Sequence, residues 1–192
     1  VRVGIFGGTF DPPHVGHLLA ASDAADALGL DQVRFVPNAA QPLKHRDADG
    51  AGAADRLAMV RALCGADPRF VVDPTEVERG GLSFMIDTVR ALREQLPGTA
   101  LFLLVGEDAA ATLPEWRDAE ALAGLVEIVV LTRESSNPGA AASWRRIPSR
   151  RVDVSSTEIR ARVRAGLPIT GFVPDAVAEL IRARGLYARG LE

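Results

Sequence analysis

The sequence predicts an α/β protein built on a doubly wound parallel sheet, and three observations carry that prediction. Short apolar runs of strand type alternate with segments of helical spacing along the whole chain. The first unit reads strand, turn, helix, strand, which closes almost always as a right-handed parallel βαβ pair. The runs Val1 to Phe6 and Leu101 to Val105 are apolar nearly throughout, as strands buried on both faces are.

Val1 to Phe6 is the first strand and ends at Gly7-Gly8. Leu18 to Leu28 is an Ala-rich helix with Gly29 as its natural stop, and Gln32 to Pro37 is the second strand. Asn38 to Gly52 has no clear period and holds Pro42, Gly50 and Gly52, so it reads as a long surface loop, of the functional or mobile kind. Ala53 to Ala66 returns to helical spacing. Arg69 to Asp73 is a third strand before Pro74, Glu76 to Ser83 is polar, and Phe84 to Leu96 is a helix stopped by Pro97-Gly98. Leu101 to Val105 is the clearest buried strand; it runs into Gly106-Glu107-Asp108 at the edge where such sheets place ligands. Two short helical stretches flank Trp116, and Glu127 to Leu131 is a fifth strand. Residues 134–150 read as an exposed loop, Arg151 to Val154 as a last short strand, and Ser156 to Ala165 and Pro174 to Arg184 as helices. No repeat or linker divides the chain, so residues 1–192 are expected to form one domain.

Composition excludes several classes of function. Hydrophobic residues make up 47% and charged residues 24%, as in an ordinary globular protein, and the net charge of −3 disfavours a general nucleic-acid binder. No apolar run is long enough for a membrane span and no leader precedes the first strand, so a cytoplasmic protein is expected. The single cysteine, Cys64, falls in the apolar pattern Leu57, Val60, Leu63 and reads as core. Oligomeric state is not written in the sequence, and a homo-oligomer stays open.

The chemistry concentrates at Gly7-Gly8-Thr9-Phe10-Asp11-Pro12-Pro13-His14-Val15-Gly16-His17. Glycines after a strand allow a tight turn and close approach of a ligand to bare backbone, and the following helix presents unpaired N–H groups to an anion. His14 and His17 share a face if the helix begins near Pro13. The stretch lacks Gly-x-Gly-x-x-Gly and Gly-Lys-Ser/Thr, which removes a hydride-transfer cofactor and the P-loop. Spacing i,i+3 without His-Glu-x-x-His argues against zinc, and no metal ligands are assigned. Two histidines with no evident nucleophile fit charge stabilisation on a transferring phosphoryl group, as imidazolium or as a neutral N–H donor. A second stretch, Val154-Ser155-Ser156-Thr157-Glu158-Ile159-Arg160, has a capping box in Ser155 and Glu158. Capping leaves Arg160 unexplained, one turn into the helix and able to reach an anion at its start.

Together these stretches closely resemble the HxGH and SSTxIR motifs of the nucleotidylyltransferase superfamily, in the expected order near opposite ends of the chain. Within it the chain is most similar to the bacterial nicotinate mononucleotide adenylyltransferases, over essentially its whole length. Pro37 through Pro42 to Lys44 resembles that family's proline-containing loop, with a lysine that reaches the triphosphate. Residues 79–88 resemble its nicotinate-binding stretch, with Phe84-Met85 where members commonly have Tyr-Thr. Gly106-Glu107-Asp108 resembles its Gly-Ala-Asp, and Trp116 matches its aromatic residue near the pyridine ring.

The resemblance implies a Rossmann-like nucleotidylyltransferase fold and adenylyl transfer from ATP to nicotinate mononucleotide, giving nicotinate adenine dinucleotide and pyrophosphate for NAD biosynthesis. It implies that His14, His17, Lys44 and Arg160 act on the triphosphate, with Mg²⁺ bound mainly through ATP phosphates. It places Gly7, Gly8, Thr9, Phe10, Gly106, Asp108, Arg133, Ser155 and Ser156 on ATP, and Ser83, Phe84, Met85, Trp116 and Arg117 on the mononucleotide. The 38–52 loop, with little apolar content to pin it, is expected to order on nucleotide binding. Nicotinamide mononucleotide or phosphopantetheine as acceptor, and a non-catalytic nucleotide-binding protein, stay as alternatives.

Overall fold

The computed structural model describes residues 1–42, 50–65, 67–132 and 144–188. Six strands form one parallel sheet: β1 (Arg2–Gly8), β2 (Gln32–Pro37), β3 (Phe70–Val72), β4 (Ala100–Gly106), β5 (Glu127–Thr132) and β6 (Arg145–Pro148), in spatial order β3-β2-β1-β4-β5-β6. All five strand pairs are parallel, with Gly7 opposite Val36 in one register and Gly106 opposite Leu131 in another. The winding reverses between β1 and β4, the position at which doubly wound sheets open a ligand crevice.

Side-chain alternation explains why both faces are covered. On β4, Leu101, Leu103 and Val105 enter one apolar cluster, and Phe102 and Leu104 enter the other. The first cluster packs under α4 (Met85–Gln95), α5 (Glu107–Thr112) and α6 (Ala119–Leu125). The second packs under α1 (Val15–Leu28), α2 (Ala53–Cys64), α7 (Ser156–Arg164) and α8 (Asp175–Ala183). Helix α1 buries Ala21, Ala24, Ala25 and Leu28, an i, i+3, i+4, i+7 stripe. It stops at Gly29, whose φ of 58° is the left-handed conformation that glycine adopts without a steric penalty. Cys64 is buried, and burial pushes its thiol up to about 12.

Two expectations are corrected. The last strand is Arg145–Pro148, inside the segment read as loop, while residues 151–154 join no strand. This edge strand buries only Ile147, and its arginines pair with acids on neighbouring elements, Arg145 with Glu127 and Arg146 with Glu107. Such a charged, one-residue pattern does not read as a strand. The polar stretch after the third strand holds a short helix, α3 (Thr75–Arg79), which the turn-like residues around it mask. Among the described residues no helix is long and apolar enough to cross a membrane.

Candidate active site

The carboxyl ends of β1 and β4 open into a cleft of about 970 Å³. Its described walls are the loop after β1 with His17, residues 38–42, residues 82–86, the β4 end with Trp116 and Arg117, and the start of α7.

The loop after β1 is shaped by Phe10 and Pro12, not by the glycines. Gly7 and Gly8 lie inside β1 and neither has positive φ; the backbone becomes left-handed only at Phe10 (φ 52°), and the Asp11-Pro12 bond is cis. Both glycines stand close to neighbouring side chains. A Cβ on Gly7 would come within 2.5 Å of Met85 Cε, and one on Gly8 within 3.0 Å of the Phe10 ring.

Helix α1 begins one residue past His14, which is its N-cap and not part of its first turn. The two histidines meet all the same. Their ring centroids are 3.8 Å apart with a tilt of 36°, and the His14 backbone N–H donates to His17 Nδ1 at 3.1 Å. Gly16 makes this possible, because a Cβ there would lie 3.0 Å from His14 Cε1 and Nδ1. His14 is 9% exposed and stands behind His17, its Nδ1 without a hydrogen-bond partner among the described residues. Only His17 belongs to the cleft wall.

Burial lowers His14 to about 4 and, together with the adjacent His14, holds His17 well below the ordinary histidine range. Both are therefore neutral at pH 7. A neutral ring whose Nδ1 accepts a hydrogen bond carries its proton on Nε2, which assigns His17 as an Nε2–H donor. Of the two ring forms open from the sequence, this contact fits the neutral one.

The second motif docks onto the first. Ser155 caps α7 by accepting the Glu158 N–H at 3.1 Å, so its side chain serves the helix and lies outside the cleft wall. Ser156 Oγ donates to the Pro12 carbonyl at 2.8 Å, and Arg160 Nη1 donates to the Asp11 carbonyl at 2.8 Å. Ser156, Thr157 and Arg160 thus face the cleft beside His17.

Across the cleft, the Arg117 guanidinium stacks 3.8 Å from the Phe84 ring centroid and pairs with Asp87. Trp116 Nε1 donates to Thr112 Oγ1 at 3.2 Å, and Ser83 Oγ accepts the Ala39 N–H at 3.0 Å. Gly106 borders the cleft, while Asp108 is exposed on the first turn of α5 and is not part of the wall. Glu107 pairs with Arg146 at 2.8 Å. Lys44 and Arg133 lie outside the described residues, as do residues 43–49 of the loop in which Lys44 falls.

Three participants were not foreseen. Arg56 is 4% exposed and donates to the carbonyls of Thr9 (2.7 Å), Ala39 (2.9 Å) and Ala51 (3.3 Å), tying together three segments at the cleft. The available signal was its place at i−4 from Val60 and i−7 from Leu63, on the buried face of α2. Glu76 is buried on α3, accepts a hydrogen bond from Thr88 Oγ1, and has its carboxyl pushed up by burial. Tyr187 donates to the Asp11 carboxylate from beyond α8.

A cytidylyltransferase-like family model matches residues 5–162. A nicotinate-nucleotide adenylyltransferase of Gemmatimonas aurantiaca is 51% identical over 97% of this chain and 92% of its own. One of Herpetosiphon aurantiacus is 42% identical over 97% and 98%. Among solved structures, the fold is similar to the Plasmodium falciparum nicotinic acid mononucleotide adenylyltransferase complexed with NaAD. That match has a TM-score of 0.80 at 15% identity and covers 100% of this chain and 99% of that one.

Proposed function

Because the chain belongs to the nicotinate-nucleotide adenylyltransferase family, we infer that it transfers the adenylyl group of ATP to nicotinate mononucleotide, releasing pyrophosphate and forming nicotinate adenine dinucleotide. The observation that carries this reading is the closure of the two distant motifs on one another. Ser156 and Arg160 bond to the carbonyls of Pro12 and Asp11 and stand with His17 along one wall of a cleft at the sheet's switch point.

In this reading an oxygen of the mononucleotide 5′-phosphate attacks the α-phosphorus of ATP, and the bond from that phosphorus to the bridging oxygen breaks as pyrophosphate leaves. No covalent enzyme intermediate is needed. His17 donates from Nε2 and Arg160 from its guanidinium to the oxygens on which charge builds, in a wall that requires little reorganisation. The donors along that wall suit phosphate oxygens, and Mg²⁺, which takes few protein ligands, enters as part of the MgATP substrate. Lys44 is assigned to the same triphosphate. Gly7 to Phe10 and Gly106 border the space for the nucleotide, and Asp108 and Arg133 are assigned to the same ligand. Phe84, Met85, Trp116 and Arg117 form the opposite wall, which suits the pyridine ring and its carboxylate.

The test is pyrophosphate release from ATP with nicotinate mononucleotide, nicotinamide mononucleotide or phosphopantetheine under identical conditions. Preference for the acid is expected; equal or better turnover with another acceptor overturns the assignment, and no turnover with any acceptor removes the enzyme reading.

A further inference from the structure

Distant parts of the chain converge on Asp11. Its main-chain carbonyl accepts Arg160 Nη1 at 2.8 Å, and its carboxylate Oδ1 accepts the Ala51 N–H at 3.0 Å and the Tyr187 hydroxyl at 2.6 Å. Tyr187 follows α8 and lies outside the residues 5–162 matched by the family model. Its ring is 7% exposed and sits in the same apolar cluster as Phe6 and Phe10.

Two features mark it as more than a packing residue. Its φ is 63°, a left-handed conformation uncommon for a residue with a bulky side chain and kept only where the surroundings enforce it. Its hydroxyl, buried with the ring, needs an acceptor; besides a 3.9 Å contact with Met59 Sδ, it finds at 2.6 Å the carboxylate of the loop that carries the Arg160 contact. Burial and the Asp11 carboxylate both push the phenol's pKa up, so the hydroxyl keeps its proton to donate.

We propose that Tyr187 is a positioning residue for the ATP side of the site: its hydroxyl holds the Asp11 carboxylate, and the loop so fixed presents the carbonyl that orients Arg160. The proposal rests on the adenylyl-transfer reading for its effect on turnover, but its effect on ATP binding can be measured separately. The acceptor wall, on Phe84, Met85 and Trp116, packs against the other apolar cluster and is not touched by this contact.

The test compares the parent protein, Y187F and R184Q. Y187F keeps the ring and removes the hydroxyl; R184Q breaks a separate tie of this segment, Arg184 Nη1 to Asp55 Oδ1 at 2.6 Å, and leaves Asp11 alone. ATP and mononucleotide affinities are read by calorimetry, and kcat where there is turnover. Y187F is expected to weaken ATP binding about fivefold and lower kcat about tenfold, with mononucleotide affinity within twofold of the parent and R184Q leaving both affinities unchanged. Should Y187F fail to fold, D11N, which weakens the same bond from its other end, is expected to show the same selective loss. ATP affinity and kcat within twofold of the parent, or equal losses for both ligands, would overturn the proposal. A parent that binds ATP yet transfers nothing defeats the function instead, and the ATP comparison still decides the role of Tyr187.

Discussion

The His14 ring stacks on the His17 ring with centroids 3.8 Å apart, and the His14 backbone N–H occupies His17 Nδ1. Protonating either ring therefore places a charge in a buried pair that holds none at pH 7. His14 has a folded value of about 4 against an ordinary 6.5, so its contribution to stability is complete above pH 6.5 and is lost as pH falls toward 4. The unfolded chain binds the proton first across that window, and the loss from His14 alone is on the order of 3 kcal/mol. Urea unfolding at a series of pH values is expected to show this decline, reduced in H14A.

Removing the donor itself separates catalysis from folding. H17A is expected to lower kcat by about 100- to 1000-fold, the usual loss for one preorganised donor at a developing charge. Its KM for the mononucleotide should stay within about threefold. Steady-state kinetics with thermal melts of the same samples check this; full turnover would contradict the role given to Nε2.

Gly16 offers a sharper separation. Alanine at a helical glycine ordinarily stabilises by up to about 1 kcal/mol. Here the new Cβ would stand 3.0 Å from His14 Cε1 and Nδ1 and push the ring against His17. G16A is therefore expected to keep its melting temperature within a few degrees while kcat falls at least tenfold.

Arg56 is the opposite case, a residue whose loss damages structure first. R56M leaves the carbonyls of Thr9, Ala39 and Ala51 without this donor in a buried setting, at a cost of about 2–4 kcal/mol. A clear drop in melting temperature and a higher KM for ATP are expected together, and R56K, whose single ammonium cannot span three carbonyls, should rescue little.

Strand and helix order was readable because apolar runs and periods of 2 and 3.6 are local signals, and β1, β4 and the α1 stripe carry them strongly. The edge strand β6 has one buried residue and two paired arginines, so its identity comes from β5 beside it and not from its own pattern. Within the site, His17 and Arg160 stood out through motif spacing. Arg56 and Tyr187 did not, because each acts on backbone or on a carboxylate far away in sequence. The turn was read at the wrong residues: Gly7 and Gly8 finish a strand among crowded side chains, and the left-handed turn belongs to Phe10.

That difference can be tested at Gly7. If glycine is needed there for ligand approach to bare backbone, alanine should harm binding whatever stands at position 85. The geometry places the conflict with Met85 instead, whose Cε would lie 2.5 Å from the new Cβ. A methionine end is flexible and moves at small cost, and here it borders the cleft with Phe84 and Trp116, so its displacement alters that wall. G7A is therefore expected to raise the KM for the mononucleotide about fivefold with little change in stability, and G7A/M85A to recover most of that loss. Initial rates over a matrix of both substrates measure the coupling. A defect in G7A that M85A leaves untouched would return the glycine to its first interpretation, a gap kept for the ligand.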